Sequence, residues 1–219
     1  MRPLILDLFC CEGGAAMGYY RAGFDVIGVD IVARPKYPFL FIQADALAPP
    51  VNLSAFDAIH ASPPCQAFSS ATRNDLDYPN LVDPTRQMLM SSGLPWVIEN
   101  VPGAPMNAPH SLFDPSESLI TLCGSMFDEL LPRLHRHRMF ESNVPLRSPG
   151  RCRHDLTRDV LSVVGHGEQG ESHRRGEYWG IEARRQAMGI DWTSREGLSE
   201  AIPPTYTEHI GEQMMEALR

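Results

Sequence analysis

Pro3-Leu4-Ile5-Leu6-Asp7-Leu8-Phe9-Cys10-Cys11-Glu12-Gly13-Gly14-Ala15-Ala16-Met17-Gly18-Tyr19-Tyr20-Arg21-Ala22-Gly23, followed by Phe24-Asp25-Val26-Ile27-Gly28-Val29-Asp30, is the stretch that decides the fold. Residues 3–9 are an almost unbroken apolar run, the pattern of a strand buried on both faces. Gly13-Gly14 ends that run in a turn, residues 15–22 have helical character, and Gly23 stands where a helix C-cap glycine is expected. Residues 24–30 form the next strand, so the opening is a β-α-β unit with a right-handed crossover. Working outward, strands are expected at 40–43, 56–61 and 96–99, with a helix over about 84–91 feeding the last. Strands separated by helices predict an open, mostly parallel α/β sheet. Residues 119–122 and 138–141 look like later, antiparallel strands. Over 142–180 the pattern gives way to Pro, Gly, Arg and His, with one apolar run at 160–164, an irregular annex. Thr193-Ser194-Arg195-Glu196 can cap a short helix, and Pro203-Pro204 can start a last one. The expected organisation is a core over 1–141, an Arg-rich region over 142–180, and C-terminal helices over 181–219 that return to the core.

The composition agrees with one main fold. The 219 residues are 43% hydrophobic and 21% charged, ordinary values for a globular domain and unlike disordered, coiled-coil or collagen chains. No apolar run approaches the roughly 20 residues of a membrane span. Met1-Arg2-Pro3 leads directly into a strand without a signal-peptide pattern, so a cytoplasmic location without membrane association is expected. The cysteines, Cys10, Cys11, Cys65, Cys123 and Cys152, are odd in number and form no C-x-x-C pair, which argues against a disulfide framework. The net charge is -8, yet between Arg133 and Arg185 eleven arginines face seven acids, leaving +4 there and -12 elsewhere. A basic segment on an acidic body is either a nucleic-acid footprint or a salt-bridged surface.

In open α/β sheets ligands bind beyond the carboxyl ends of the strands, and Asp7, Asp30, Ser62 and Glu99 all fall at or just past such ends. A glycine turn after the first strand with an acidic residue closing the second is the pattern of a nucleoside-containing cofactor. The glycines do not spell G-x-G-x-x-G, which disfavours a nicotinamide dehydrogenase. In Ala61-Ser62-Pro63-Pro64-Cys65-Gln66, two prolines stiffen the loop that presents Cys65, as a nucleophile or as an ordinary half-buried small residue. In Val97-Ile98-Glu99-Asn100-Val101, an apolar strand delivers a carboxyl group to the same edge, where partial burial would raise its pKa and suit it to donate a proton.

These three segments, in this order, resemble the cytosine-C5 DNA methyltransferases. Leu134-His135-Arg136-His137-Arg138-Met139-Phe140 is similar to that family's R-x-R-x-F segment, and Ala201-Ile202-Pro203-Pro204 with Ile210-Gly211 to its C-terminal motif. The resemblance implies a Rossmann-like AdoMet-dependent methyltransferase fold with S-adenosylmethionine as cofactor. Cys65 would attack C6 of a flipped-out cytosine, Glu99 would protonate N3, and Arg138 with Arg136 would hold the O2 side, so that methyl transfer occurs at C5. For the cofactor, Phe9 and Ile31 would flank the adenine, Asp30 would meet the ribose and Asp45 the adenine amino group. Gly13 and Gly14 would form the turn beside the methionine part, and Asp7 and Pro63 complete the set. Gln66 would assist at the target, and Arg151, Arg153, Arg174 and Arg175, with Arg147, Arg158 and Trp179, would contact double-stranded DNA.

The sequence departs from the family at Cys11, where a glycine is usual, and at Glu200, which aligns with an asparagine. The recognition region is short, implying a compact restriction-modification or phage type that reads a short site or depends on a protein partner. His135, His137, Cys152 and His154 invite a zinc reading, but their spacing is irregular, and phosphate-facing or surface histidines without a metal are expected. The alternatives are the same chemistry on RNA or another pyrimidine, and a silent DNA-binding module. Retention of both Cys65 and Glu99 speaks against the latter.

Overall fold

The computed structural model describes residues 1–69, 78–106, 118–127, 134–154, 163 and 180–219. Strands β1 (Leu4–Leu8), β2 (Asp25–Asp30), β3 (Leu40–Gln43), β4 (Ala58–Ala61), β5 (Trp96–Asn100), β6 (Leu119–Leu122) and β7 (Arg138–Ser142) form one sheet. Its order is β3-β2-β1-β4-β5-β7-β6. The first five strands are parallel, and β7 runs antiparallel to both β5 and β6. Helices α1 (Gly14–Ala22), α2 (Val82–Ser92), α3 (Ile181–Met188), α4 (Arg195–Glu200) and α5 (Pro204–Ala217) complete the described elements. No helix among the described residues is long and apolar enough to cross a membrane.

Alternation along the buried strands sorts side chains between two apolar layers. Ile5, Val26, Ala58 and Val97 pack with Tyr19 of α1 and Tyr206, Ile210 and Met214 of α5. Leu6, Leu8, Val29, Ile59 and Ile98 pack on the opposite face with Val82 and Leu89 of α2. Burying a large apolar side chain contributes about 1.5–3 kcal/mol, so the two layers carry most of the stabilisation. α1 and α5 meet across small residues. A Cβ on Gly18 would collide with Thr207 Oγ1 and the Pro204 carbonyl, and one on Gly211 would come within 2.7 Å of Ala22 Cβ.

The same period places polar groups in one row. Asp7 shares the face of Ile5, His60 that of Ala58, and Glu99 that of Val97, with Asp7 directly opposite His60 in the register. All three are buried, on the side of the sheet covered by α1 and α5. A second buried polar contact clamps α2 to the antiparallel edge: Arg86 Nε and Nη2 donate to the two carboxylate oxygens of Glu141 at 2.7 and 2.9 Å.

α3 is the helix that the residue-by-residue reading places only within a general C-terminal helical region. It is rich in polar side chains and buries just Arg184, Ala187 and Met188, though Gly180 and Gly189 bracket it. Ser194 is the N-cap of α4, its Oγ accepting from Gly197 N at 2.9 Å. That hydroxyl also donates to Glu12 Oε1 at 2.8 Å, and Ser194 N donates to Oε2 at 2.6 Å. The turn after β1 is thereby tied to the C-terminal helices.

Candidate active site

A shallow cleft opens at the carboxyl ends of β1 and β4, lined by Asp7, Phe9, Cys10, Cys11, Gly14, Ala15, Ser62, Glu200, Ala201 and Ile202. Its floor is an unusual turn. Phe9 and Cys11 both have left-handed backbone, with φ of 57° and 47°, and Gly13 follows at 85°. A non-glycine residue there costs about 1–2 kcal/mol. The turn is held by Cys10 N donating to the Val29 carbonyl at 3.1 Å and by Cys11 N donating to Asp30 Oδ2 at 3.0 Å. The cysteine that departs from the expected glycine is thus accommodated in strained backbone.

Asp7 is fully buried, and burial pushes its carboxyl group up to about 8; the Tyr37 hydroxyl works against this shift and Asp30 adds to it. Tyr37 donates to Oδ2 at 3.3 Å, while Oδ1 has no hydrogen-bond partner among the described residues. Asp30 is already engaged. Its Oδ1 accepts from Val32 N at 2.9 Å, and Arg34 Nε lies 3.2 Å from Oδ2. Arg34 also reaches Glu200 Oε2 at 3.5 Å, bridging the second strand to the end of α4. The sequence reading did not single out Arg34, whose role exists only once those two elements are adjacent.

Beside the cleft, the loop after β4 carries Cys65. Phe68 N and Ser69 N both donate to the Cys65 carbonyl, at 3.0 and 2.9 Å, which closes the loop into a tight turn. Asn100 at the end of β5 anchors it, donating from Nδ2 to the Pro63 carbonyl at 3.0 Å. Glu99 is buried, with Arg138 Nε 2.9 Å from Oε1. Burial raises its carboxyl above the usual range, while Arg138, Arg136 and a hydrogen bond from Ser62 pull it back. The Cys65 thiol is pushed up by burial and by Glu99, and drawn down by Arg138 and Arg136. Behind them, Tyr19 Oη lies 2.9 Å from His60 Nδ1, and His60 Nε2 lies 2.7 Å from Ser62 Oγ. Burial lowers His60 to about 3, so it remains neutral.

The expected residues divide accordingly. Asp7, Phe9 and Gly14 line the cleft, and Gly13 forms its turn. Asp30 ends β2 beside it, and Ile31 follows, 68% exposed. Asp45 is exposed and caps its own turn through Leu47 N at 2.9 Å. Pro63 is buried, and Gln66 is exposed next to Cys65. Arg136, expected with Arg138 at the substrate, instead directs its guanidinium at backbone carbonyls: Nη1 donates to Val163 and Nη2 to Ser199, the latter at 2.7 Å. This makes it a positioning group. Arg147 pairs with Glu216 of α5 at 3.0 Å. Arg151 and Arg153 are exposed, whereas Arg158, Arg174, Arg175 and Trp179 lie outside the described residues.

No family model matches the sequence. A curated relative, the type II methyltransferase M.HgiDI of Herpetosiphon aurantiacus, is 28% identical over 120 residues, 48% of this chain and 39% of that protein. The match thus spans about two fifths of the relative's length. Among solved structures, a DNA modification methyltransferase encoded within an E. coli prophage superposes over 99% of both chains with a TM-score of 0.57 and 15% identity. S. pombe Dnmt2 methyltransferase superposes over 100% of both chains at 0.57 and 13%. Entamoeba histolytica methyltransferase EhMeth covers 100% of this chain and 99% of its own, at 0.57 and 11%. The fold is that of the AdoMet-dependent methyltransferases. The resemblance to the DNA cytosine-C5 family read from the motifs agrees with it.

The residues of the cleft fit S-adenosylmethionine, the cofactor that the resemblance implies. An unpartnered, buried carboxylate oxygen on Asp7 complements a cationic ligand, and Gly14 packs so closely that a Cβ would come within 2.5 Å of the Ile202 carbonyl.

Proposed function

We propose that this protein transfers the methyl group of S-adenosylmethionine to C5 of a cytosine flipped out of double-stranded DNA. The observation that carries this reading is the convergence of Cys65, buried Glu99 and Arg138 beside a cleft suited to a cationic cofactor. The resemblance supports the same assignment.

The Cys65 thiol gives its proton to water, a loss that Arg138 and Arg136 favour, and the sulfur adds to C6 of the cytosine, forming the carbon–sulfur bond and displacing electrons toward N3 and O2. Glu99, whose carboxyl group burial favours in its protonated form, donates a proton to N3. Arg138 lies on that carboxyl group at 2.9 Å, placed to hold the charge developing at O2. C5 is now enamine-like. S-adenosylmethionine, when bound, supplies an electrophilic methyl carbon. Water takes the C5 proton, the C5–H electrons restore the ring double bond, the carbon–sulfur electrons return to Cys65, and N3 gives its proton back to Glu99. Asn100 keeps the Cys65 loop on the sheet edge. Flipping costs a few kcal/mol, which the Arg-rich region over 142–180 offsets by phosphate and base contacts as the target-recognition segment. The setting we infer is the cytoplasm, in a restriction-modification or phage context.

The test is incubation with labelled S-adenosylmethionine and mixed-sequence duplex DNA or total RNA, followed by mass spectrometry of the digested nucleosides. The expected product is 5-methyl-2′-deoxycytidine. 5-Methylcytidine from RNA alone would move the substrate to RNA with the chemistry intact, and methyl on an exocyclic nitrogen would overturn the mechanism.

A further inference from the structure

At the antiparallel edge of the sheet, at the same end where Arg138 reaches Glu99, a second set of reactive side chains gathers. Cys123 follows β6 and is fully buried. His137 immediately precedes β7, and Cys152 and His154 lie in the stretch after it. These residues come from separate segments of the chain, yet their four ligand atoms all lie within 4.8 Å of one another.

We propose that Cys123, His137, Cys152 and His154 bind a structural zinc ion. In a tetrahedral site with bonds of about 2.3 Å to sulfur and about 2.0–2.1 Å to nitrogen, sulfur and nitrogen ligands are separated by about 3.5 Å. Cys123 Sγ lies 3.4 Å from His154 Nε2, and Cys152 Sγ lies 3.4 Å from His137 Nε2. The Cys152 Sγ–His154 Nε2 separation, 2.7 Å, needs to open by less than an ångström. Two thiolates and two imidazoles are the donor set zinc favours in closed structural sites. The surroundings match as well. Ser125 Oγ lies 3.3 Å from each sulfur, able to donate to a thiolate, and is itself oriented by Arg153 N at 3.1 Å. His135 falls outside the set, its ring stacked on His154 with centroids 4.1 Å apart.

The ion has a structural task. The annex begins after β7 with little apolar sequence of its own, and a small segment without a core is ordinarily held by a disulfide or a metal. Zinc would staple 152–154 to the turn after β6. It would also fix His137, which stands between Arg136 and Arg138, so that the ion steadies the segment that brings Arg138 onto Glu99. The inference does not depend on the proposed reaction.

The test is zinc analysis of the full chain, without a histidine tag, purified under reducing conditions from zinc-supplemented culture. About one zinc per chain is expected. Replacement by cobalt(II) should give the visible absorption of a tetrahedral site together with a sulfur-to-cobalt charge-transfer band. Cys123→Ser and His154→Asn should each lose most of the metal, and His135→Asn should keep it. The wild-type cobalt spectrum does not depend on how well any variant folds. A wild-type chain without zinc and without cobalt bands overturns the site. So does full zinc retention by Cys123→Ser, or a Cys123–Cys152 disulfide found in the reduced preparation.

Discussion

Asp7 shows how one residue can carry a measurable signature of the cofactor site. Its carboxyl group is raised from 3.8 to about 8 by burial, so the folded protein binds a proton that the unfolded chain releases near pH 4. Stability from this group is therefore present at low pH and declines as pH rises from about 4 to about 8. A cationic cofactor reverses the preference by favouring the carboxylate. Its affinity should rise with pH up to about 8, with proton release on binding. Titration calorimetry across that range, in two buffers of different ionisation enthalpy, measures both effects. Asp7→Asn should flatten the affinity profile and abolish the proton release; an unchanged profile in that variant would separate Asp7 from the cofactor. At this scale the sequence was informative about residues singled out by their own type and place, as with Cys65, Glu99 and Arg138, which the fold brings together. It was silent about Arg34, and it placed Ser62 and Asn100 at strand ends without their contacts, because those come from neighbours distant in the chain. The ligand set proposed for zinc has the same origin: Cys123 lies 14 residues before His137 in the sequence, and only the folded β6–β7 edge makes them neighbours.

At the scale of elements, the buried parallel strands were the easiest to read, since an apolar run such as Leu4–Leu8 is demanded by burial on both faces. α3 was not read as an individual helix, because its exposed faces are polar and its buried Arg184 gives no apolar periodicity. Nor does any local pattern announce the clamp between α2 and β7. Arg86 and Glu141 are 5% and 1% exposed, and Arg86 also reaches Asp83 Oδ1 at 2.6 Å and the Pro105 carbonyl at 2.8 Å. Breaking such a buried pair leaves an uncompensated charge and costs about 3–5 kcal/mol. Glu141→Ala should show a loss of this size in urea denaturation, with Asp83 placing it toward the lower end. Replacing both partners, as Arg86→Met with Glu141→Leu, should recover most of it. A single-variant loss below about 1 kcal/mol would show that the pair is not desolvated as the structure has it.

For the whole molecule, the carboxyl ends of the parallel strands carry two neighbouring groups of side chains. Beyond β1 and β2 the strand ends present acidic groups and a strained turn, suited to a cationic cofactor. Beyond β4 and β5 they present the thiol and the carboxyl group, and the antiparallel β7 brings Arg138 onto Glu99 from the opposite direction. The C-terminal helices close the molecule over the first turn, through Glu12 with Ser194 and through Trp192 Nε1, which donates to the Glu12 carbonyl at 2.7 Å. Under the proposed function, the acidic body would serve the cationic cofactor and the Arg-rich segment a polyanion. In the proposed reaction the target base becomes covalently attached to Cys65, and this adduct can be trapped. Duplex DNA containing 5-fluorocytosine at the methylated position has no C5 proton to lose, so the cysteine cannot be expelled after methyl transfer. With S-adenosylmethionine present, the account predicts a stable protein–DNA adduct that peptide mass spectrometry maps to Cys65 and that Cys65→Ser does not form. Methylation of ordinary cytosine by the Cys65→Ser variant, or an adduct at another cysteine, would contradict it.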